Sequence, residues 1–275
     1  MKINCKGNLI DLSTPKVMGI LNITPNSFYD GGSYNNKIAM LNQIEKMIDE
    51  GATFIDVGAY STKPNADFVS EQEEIKRIIP VVQLIVNHFP DVLLSIDTFR
   101  SEVANQSINE GASIINDIAA GTFDEKMMET ISKHQVPYIM MHLKGGLNSM
   151  HEITQYETIV KEIIYYFSKR VALARKFGIN DMIVDPGFGF SKTLSQNYEV
   201  LKKLELFSVL DLPLLVGFSR KSMVYKVLDN NPKEALNGTT VLNTLGLSKG
   251  ANILRVHDVK QAVETISIFT KFQNS

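Results

Sequence analysis

Val17-Met18-Gly19-Ile20-Leu21-Asn22 is a short apolar run that ends on a polar side chain, and the chain repeats this device seven more times. The next runs are Thr53-Phe54-Ile55-Asp56, Leu93-Leu94-Ser95-Ile96-Asp97 and Ser113-Ile114-Ile115-Asn116-Asp117. Then come Pro137-Tyr138-Ile139-Met140-Met141-His142 and Met182-Ile183-Val184-Asp185. Leu214-Leu215-Val216-Gly217-Phe218-Ser219-Arg220-Lys221 and Ile253-Leu254-Arg255-Val256-His257 complete the set. Each precedes a helix-like stretch. Continuous apolar runs are the mark of parallel strands buried on both faces. Eight strands, each followed by a helix, describe an α/β chain of the (β/α)8 TIM-barrel class, whose active site lies at the C-terminal strand ends. The polar residues fall there.

The segments outside these runs fit the same plan. Lys6-Gly7-Asn8 separates two strand-like pieces between Lys2 and Leu12, which predicts a β-hairpin capping the bottom of the barrel. Helices are expected over about Ile38 to Glu50 and from the capping-box pattern Ser70-Glu71-Gln72-Glu73, with Pro80 bending or dividing the second. Short helices follow Arg100 and Asp124, and a long one spans about Gln155 to Phe177. Others start near Ser195, Lys221 and Ala235, and the last covers about Val259 to Phe272. A doubly wound open sheet is the alternative, but eight strands without an antiparallel interruption favour closure. No Gly/Ser/Pro-rich linker divides the 275 residues, so residues 1–275 are expected to form one domain.

Composition excludes several function classes. A net charge of −2 gives no electrostatic basis for binding nucleic acid or an anionic membrane, so an anionic substrate needs a local basic cluster. No apolar stretch approaches the ~18 residues of a membrane span, and the N-terminus lacks a signal-peptide core. Cys5 is the only cysteine and cannot form an internal disulfide, which fits a reducing cytoplasm.

The strand ends supply candidate chemistry. Asn22-Ile23-Thr24-Pro25-Asn26-Ser27-Phe28-Tyr29-Asp30-Gly31-Gly32 is long for a βα connection and reads as a lid. Gly58-Ala59-Tyr60-Ser61-Thr62-Lys63-Pro64-Asn65-Ala66 offers hydroxyls and a cation beside a rigid proline, suited to an anionic or carboxylate-bearing ligand, although taken singly it fits a plain loop equally. Asp97 needs a partner at an apolar mouth, either a structural ion pair or a substrate. Asn116 and Asp117 point to opposite strand faces. An amide both donates and accepts, which favours Asn116 for a heterocycle, although a loop-capping role fits equally. Asp185-Pro186-Gly187-Phe188-Gly189-Phe190 sets a carboxylate, able to accept from the planar N–C–N fork that pterins and guanines both present, beside turn-forming glycines, with a helix-capping aspartate as the alternative. Ser219-Arg220-Lys221-Ser222 and Arg255-Val256-His257 bring basic groups to the last two strand ends, where this fold commonly binds phosphate. The histidines show no Cys/His metal-ligand spacing.

Taken together and in order, these segments resemble the dihydropteroate synthase family along nearly the whole chain, from Met18-Gly19-Ile20-Leu21-Asn22-Ile23-Thr24-Pro25 to Arg255-Val256-His257-Asp258. The resemblance implies a folate-pathway condensation of a dihydropterin-methyl diphosphate with 4-aminobenzoate. It implies that Asp97, Asn116, Asp185 and Lys221 hold the pterin, with Asp97, Lys221 and Asp30 assisting catalysis. Asn22, Arg255 and His257 would hold the diphosphate, with Asn22 also on Mg2+. Thr62, Lys63, Pro64, Phe28, Phe190 and Ser222 would form the aminobenzoate site. A homodimer joined through the helical outer ring is implied too. Asn26, Lys63 and Asn65 depart from the family's Thr-Pro-Asp-Ser and Ser-Thr-Arg-Pro-Gly patterns. Lysine keeps the charge there but loses arginine's planar fork. Two rival readings are a methyltetrahydrofolate-dependent methyltransferase, which has no use for a diphosphate cluster, and a pterin-binding paralogue without synthase activity.

Overall fold

The computed structural model describes residues 1–23, 34–59, 69–146 and 153–275. Strands β3 (Lys16–Asn22), β4 (Phe54–Gly58), β5 (Leu93–Asp97), β6 (Ile114–Asp117), β7 (Tyr138–Met141), β8 (Met182–Asp185), β9 (Leu215–Val216) and β10 (Ile253–Val256) form one parallel sheet. Its order is β8-β7-β6-β5-β4-β3-β10-β9. A parallel bridge between Val184 and Leu214, with Val184 N–H donating to the Pro213 carbonyl at 3.0 Å, brings the two ends together. The predicted barrel is therefore present, closed at its β8–β9 seam by minimal pairing. The seventh strand is much shorter than the apolar run that announces it, because Gly217 onward turns away and Arg220 takes the left-handed conformation (φ 56°).

The helices α1 (Tyr34–Asp49), α2 (Glu71–His88), α3 (Ser101–Asn109), α4 (Met127–His134), α5 (Ile159–Lys176), α6 (Leu194–Lys202), α7 (Ser222–Tyr225), α8 (Leu236–Ser248) and α9 (Val259–Gln273) lie between and after the strands. A 3-10 turn at Leu204–Leu210 follows α6. In α2, the Ser70 hydroxyl accepts from Glu73 N–H, the expected cap. Pro80 does not divide this helix, which runs unbroken from Glu71 to His88 with Pro80 on its solvent face. The long helix α5 begins at Ile159 rather than near Gln155. Glu162 reaches back to accept from the N–H groups of Glu157 and Thr158 and holds those residues outside the helix.

The N-terminal hairpin pairs β1 (Lys2–Cys5) with β2 (Asn8–Asp11). Its two turn residues, Lys6 and Gly7, both have positive φ, the geometry whose twist matches a two-residue hairpin. Ile3, Cys5 and Leu12 are fully buried against Met18, Phe54, Ile114, Ile139, Ile183, Leu215 and Ile253, the lower inward side chains of the barrel strands. Asn252 Nδ2 ties the Leu12 carbonyl to the start of β10. The hairpin is thus a plug under the barrel floor, which leaves the opposite end for chemistry.

Candidate active site

Side chains two apart on a strand share a face, so the floor dictates the next inward layer. Met18, Phe54, Leu93, Ile114, Ile139, Ile183, Leu215 and Ile253 are succeeded by Ile20, Asp56, Ser95, Asn116, Met141, Asp185, Gly217 and Arg255. The layer above the apolar floor carries charged and amide side chains at Asp56, Asn116, Asp185 and Arg255, with Ile20 and Met141 interspersed between them. One step higher stand Asn22, Gly58, Asp97 and His257.

The charged side is built around Arg255. Its Nε donates to Asp56 Oδ2 at 2.6 Å and its Nη2 to Asp97 Oδ2 at 2.8 Å. Asp56 is buried and also accepts from Ser95 Oγ at 2.6 Å and Asn116 Nδ2 at 3.1 Å. A buried carboxylate shared by three donors is well compensated. The two bonds use two of the five N–H groups a guanidinium carries. Burial pushes the Asp97 carboxyl up to about 7, opposed by Arg255 and reinforced by Asp56. The same pair of carboxylates holds Arg255 above its ordinary value against the effect of burial. A Cβ on Gly58 would stand 3.3 Å from Asp97 Cβ, so glycine leaves Asp97 its place.

Asp117 faces outward, as the strand alternation requires, where it accepts from Tyr138 Oη and from the N–H groups of Ala119 and Gly121. Asn116 is thereby the inward member of the pair.

Asp185 is buried at the end of β8, with its Oδ1 accepting from Gly187 N–H at 2.7 Å. Burial raises its pKa, while Lys221 and the Gly187 bond oppose the rise. Gly187 has φ +69°, and a Cβ there would meet the His142 carbonyl oxygen at 2.4 Å. Only glycine makes this turn. Lys221 Nζ donates to the Phe188 carbonyl at 2.5 Å and stands 5.0 Å from the centroid of the Phe190 ring. Burial lowers its pKa to about 8, with Asp185 opposing. Phe190 packs against the apolar cluster of Phe99, Ile118, Ala119, Met141 and Leu143.

At the last two strand ends, Ser219 Oγ accepts from the backbone N–H of His257 and lies 3.0 Å from His257 Nδ1. In the tautomer where Ser219 Oγ donates to Nδ1, the ring proton is on Nε2 and is a donor there. Arg220 instead forms a bidentate pair with Asp258, at 2.6 and 3.2 Å, and serves to join the two loops. Ser222, half-buried, opens α7 directly after Lys221.

The expected residues Asp97, Asn116, Asp185, Lys221, Arg255 and His257 are therefore all at one barrel end. Phe28, Asp30, Thr62, Lys63 and Pro64, with Asn26 and Asn65, lie outside the described residues. Asp56 is the member that sequence reasoning does not single out. It ends the second apolar run like any polar strand terminus, and its role emerges only when β4 and β10 face one another. Met141 and Ile20 escape notice as well, since apolar strand residues carry no local sign of lining a site.

Among the described residues no group of three or more His, Cys, Asp or Glu side chains could hold a metal by itself. Asn22 is exposed at the end of β3, opposite Gly58 in register. One amide oxygen is enough for a magnesium ion held mainly by phosphate oxygens and water, so this donor set fits a substrate-borne Mg2+. No described helix is long and apolar enough to cross a membrane.

Carboxylates and an amide pointing inward, apolar contacts at Ile20 and Met141, and basic groups at the last two strand ends are what a polar heterocycle with an anionic tail requires. Residues 18–257 match the family described as "Pterin binding enzyme", and the chain belongs to that family. It is 43% identical to the dihydropteroate synthase of Escherichia coli K12 over 270 residues, covering 98% of this chain and 95% of that protein. With the Bacillus subtilis enzyme of the same name it shares 42% over 247 residues, or 89% and 84% of the two chains. The solved Yersinia pestis dihydropteroate synthase with a sulfonamide drug complex superposes with a TM-score of 0.91 at 39% identity, covering 100% and 99%. The Xanthomonas albilineans enzyme with 7,8-dihydropteroate gives 0.88 at 30% identity, covering 100% of both chains. Within the pterin-binding enzymes, the chain groups with the dihydropteroate synthases of folate synthesis.

Proposed function

We propose that the protein condenses (7,8-dihydropterin-6-yl)methyl diphosphate with 4-aminobenzoate to give 7,8-dihydropteroate and pyrophosphate. The observation that carries this reading is the inward cluster in which Arg255 bridges Asp56 in its own layer and Asp97 one step higher, with Asn116 and Asp185 in the same layer as Arg255. The Asp185 carboxylate accepts two parallel bonds from the pterin's N–C–N fork. Asn116 and Asp97 meet the ring's other polar edge, and Met141 and Ile20 offer apolar contact. Lys221 stands between the ring and the mouth.

His257 Nε2–H and donors of Arg255 not given to the carboxylates would receive the diphosphate, with Asn22 at its outer side. Asn22 would help hold a magnesium ion carried by the substrate, and that ion would supply charge neutralisation for the leaving group. The methylene C–O bond breaks with its electron pair going to the diphosphate, and the electron-rich dihydropterin spreads the positive charge left on the methylene carbon. Fixed donors at His257 and Arg255 stabilise the departing oxyanion without reorganising. The aminobenzoate nitrogen then forms the C–N bond and releases its proton to solvent. Phe190 and Ser222 adjoin its path. From the resemblance, Phe28, Thr62, Lys63 and Pro64 close over the aminobenzoate, and Asp30 joins Asp97 in stabilising the cation.

Residues 1–275 act as one domain in this reading, in the cytoplasm, as a homodimer. The dimer is supported by exposed apolar pairs at helical spacing, Val241 with Leu245 on α8 and Ile268 with Phe272 on α9. Sedimentation should show two-chain particles, and Val241→Glu with Leu245→Glu should dissociate them; a monomeric wild type overturns that assignment. Pyrophosphate release, measured with both substrates and Mg2+, is expected to depend on 4-aminobenzoate. Pterin binding without such release would leave the paralogue or methyltransferase reading instead.

A further inference from the structure

Lys192 has no part in the mechanism above, yet it is buried to 8% exposure directly behind the β8 turn. A buried ammonium has three protons to place. Its Nζ donates to the carbonyls of Gly187 at 2.9 Å and Phe190 at 3.0 Å, and lies 3.4 Å from His142 Nδ1. These are the two ends of the Gly187-Phe188-Gly189-Phe190 turn that leads from Asp185 to the apolar cluster. The third contact makes Nδ1 an acceptor and puts the His142 proton on Nε2. Burial, Lys192 and Lys144 together hold that ring well below its usual range, which keeps it neutral. Asn197 braces the same turn from α6, accepting from Gly189 N–H and donating to the Lys192 carbonyl.

We propose that Lys192 is a positioning residue for the pterin site, tying both ends of the β8 turn and serving as the buried counter-charge behind Asp185. This rests on the pterin-binding role given to Asp185 above. A neutral hydrogen-bonding side chain could hold two carbonyls equally well; what a cation adds is stabilisation of the ionised Asp185, the form that accepts from the pterin fork. The charged groups acting here are Asp185 on β8, Lys221 after β9, Arg255 on β10 and Lys144 after β7, with the neutral His142 ring beside it. Asp97 on β5 acts through Lys221. Burial lowers Lys192 to about 7, Asp185 opposing, so it carries its proton below that pH.

The test compares the intact wild type with Lys192→Met and Lys192→Gln. Carboxyl 13C NMR of aspartate-labelled protein follows the Asp185 titration, its signal identified by its loss in Asp185→Asn. Calorimetry with 6-hydroxymethylpterin at pH 6.5 follows binding. Both variants should raise the Asp185 midpoint by about half a pH unit or more, because a stabilising positive charge is gone. The Met variant should weaken pterin binding by about tenfold, and the Gln variant, which keeps donors for the carbonyls, by less. A folded Gln variant with the wild-type midpoint would show that Lys192 is only a brace. Wild-type pterin affinity in the Met variant, or failure of both variants to fold, would equally overturn the proposal. Absence of aminobenzoate-dependent pyrophosphate release from the wild type would sink the synthase reading and leave the NMR result standing.

Discussion

Asp56 and Arg255 are far apart in sequence and 2.6 Å apart in the barrel, and each makes sense only through the other. Truncating one partner of a buried ion pair strands the other's charge. Asp56→Ala should therefore lower unfolding stability by about 3–5 kcal/mol, measured by urea denaturation. Asp56→Asn should recover part of that, since it still accepts from Ser95 or Arg255. Asp97 carries the pH dependence. Its carboxyl titrates near 7 when folded and near the ordinary 3.8 when unfolded, so the native protein holds a proton there that the unfolded chain releases. This group therefore favours folding below about pH 4 and progressively less up to about 7. Substrate binding runs the other way, because only the ionised form accepts from the pterin. Affinity for 6-hydroxymethylpterin should rise as pH increases through about 7, and Asp97→Asn should remove that rise. A wild-type binding curve flat across that range would exclude Asp97 as a pterin acceptor. Asp97, Asn116, Asp185 and His257 could be found from sequence because each ends an apolar run. Asp56 ends one too, but only the neighbouring strands reveal that its charge is shared.

At the scale of the elements, the strands were legible because burial on both faces leaves only apolar residues possible until the mouth is reached. Their lengths were less so. The run Leu214–Lys221 looks like a full strand, yet only Leu214–Val216 pair in it, since hydropathy records burial and not hydrogen bonding. Pro80 misleads in the opposite direction, because it stands on the solvent face of a helix that continues through it. The β8 turn is the element on which the site most depends. Ala at position 187 would combine a left-handed backbone with a Cβ 2.4 Å from the His142 carbonyl oxygen. Gly187→Ala should cost about 1–3 kcal/mol of stability from the backbone alone. It should also raise the KM for the pterin substrate, because relieving the clash moves the Asp185 turn. Kinetics with a wild-type pterin KM would show that the turn yields without disturbing Asp185.

For the molecule as a whole, the barrel divides into an apolar end that holds it together and a polar end that does the chemistry. The boundary is a single step along the strands, from Phe54 to Asp56 or from Ile253 to Arg255. The hairpin makes this division possible: without Ile3, Cys5 and Leu12 beneath it, the floor layer would face water. Burying that floor supplies hydrophobic stabilisation, against which the charged layer must be tolerated. A substitution in the plug should therefore change stability without touching catalysis. Ile3→Ala removes a fully buried side chain and should lower unfolding stability by about 2–5 kcal/mol through lost transfer energy and the cavity left behind. The turnover rate and both substrate KM values at a temperature well below the transition should stay at wild-type values. Asp56→Ala lies only one layer higher and should lose both stability and activity. If Ile3→Ala lowered turnover as well, the floor would be transmitting strain to the mouth, and the two ends of the barrel could not be treated as separate.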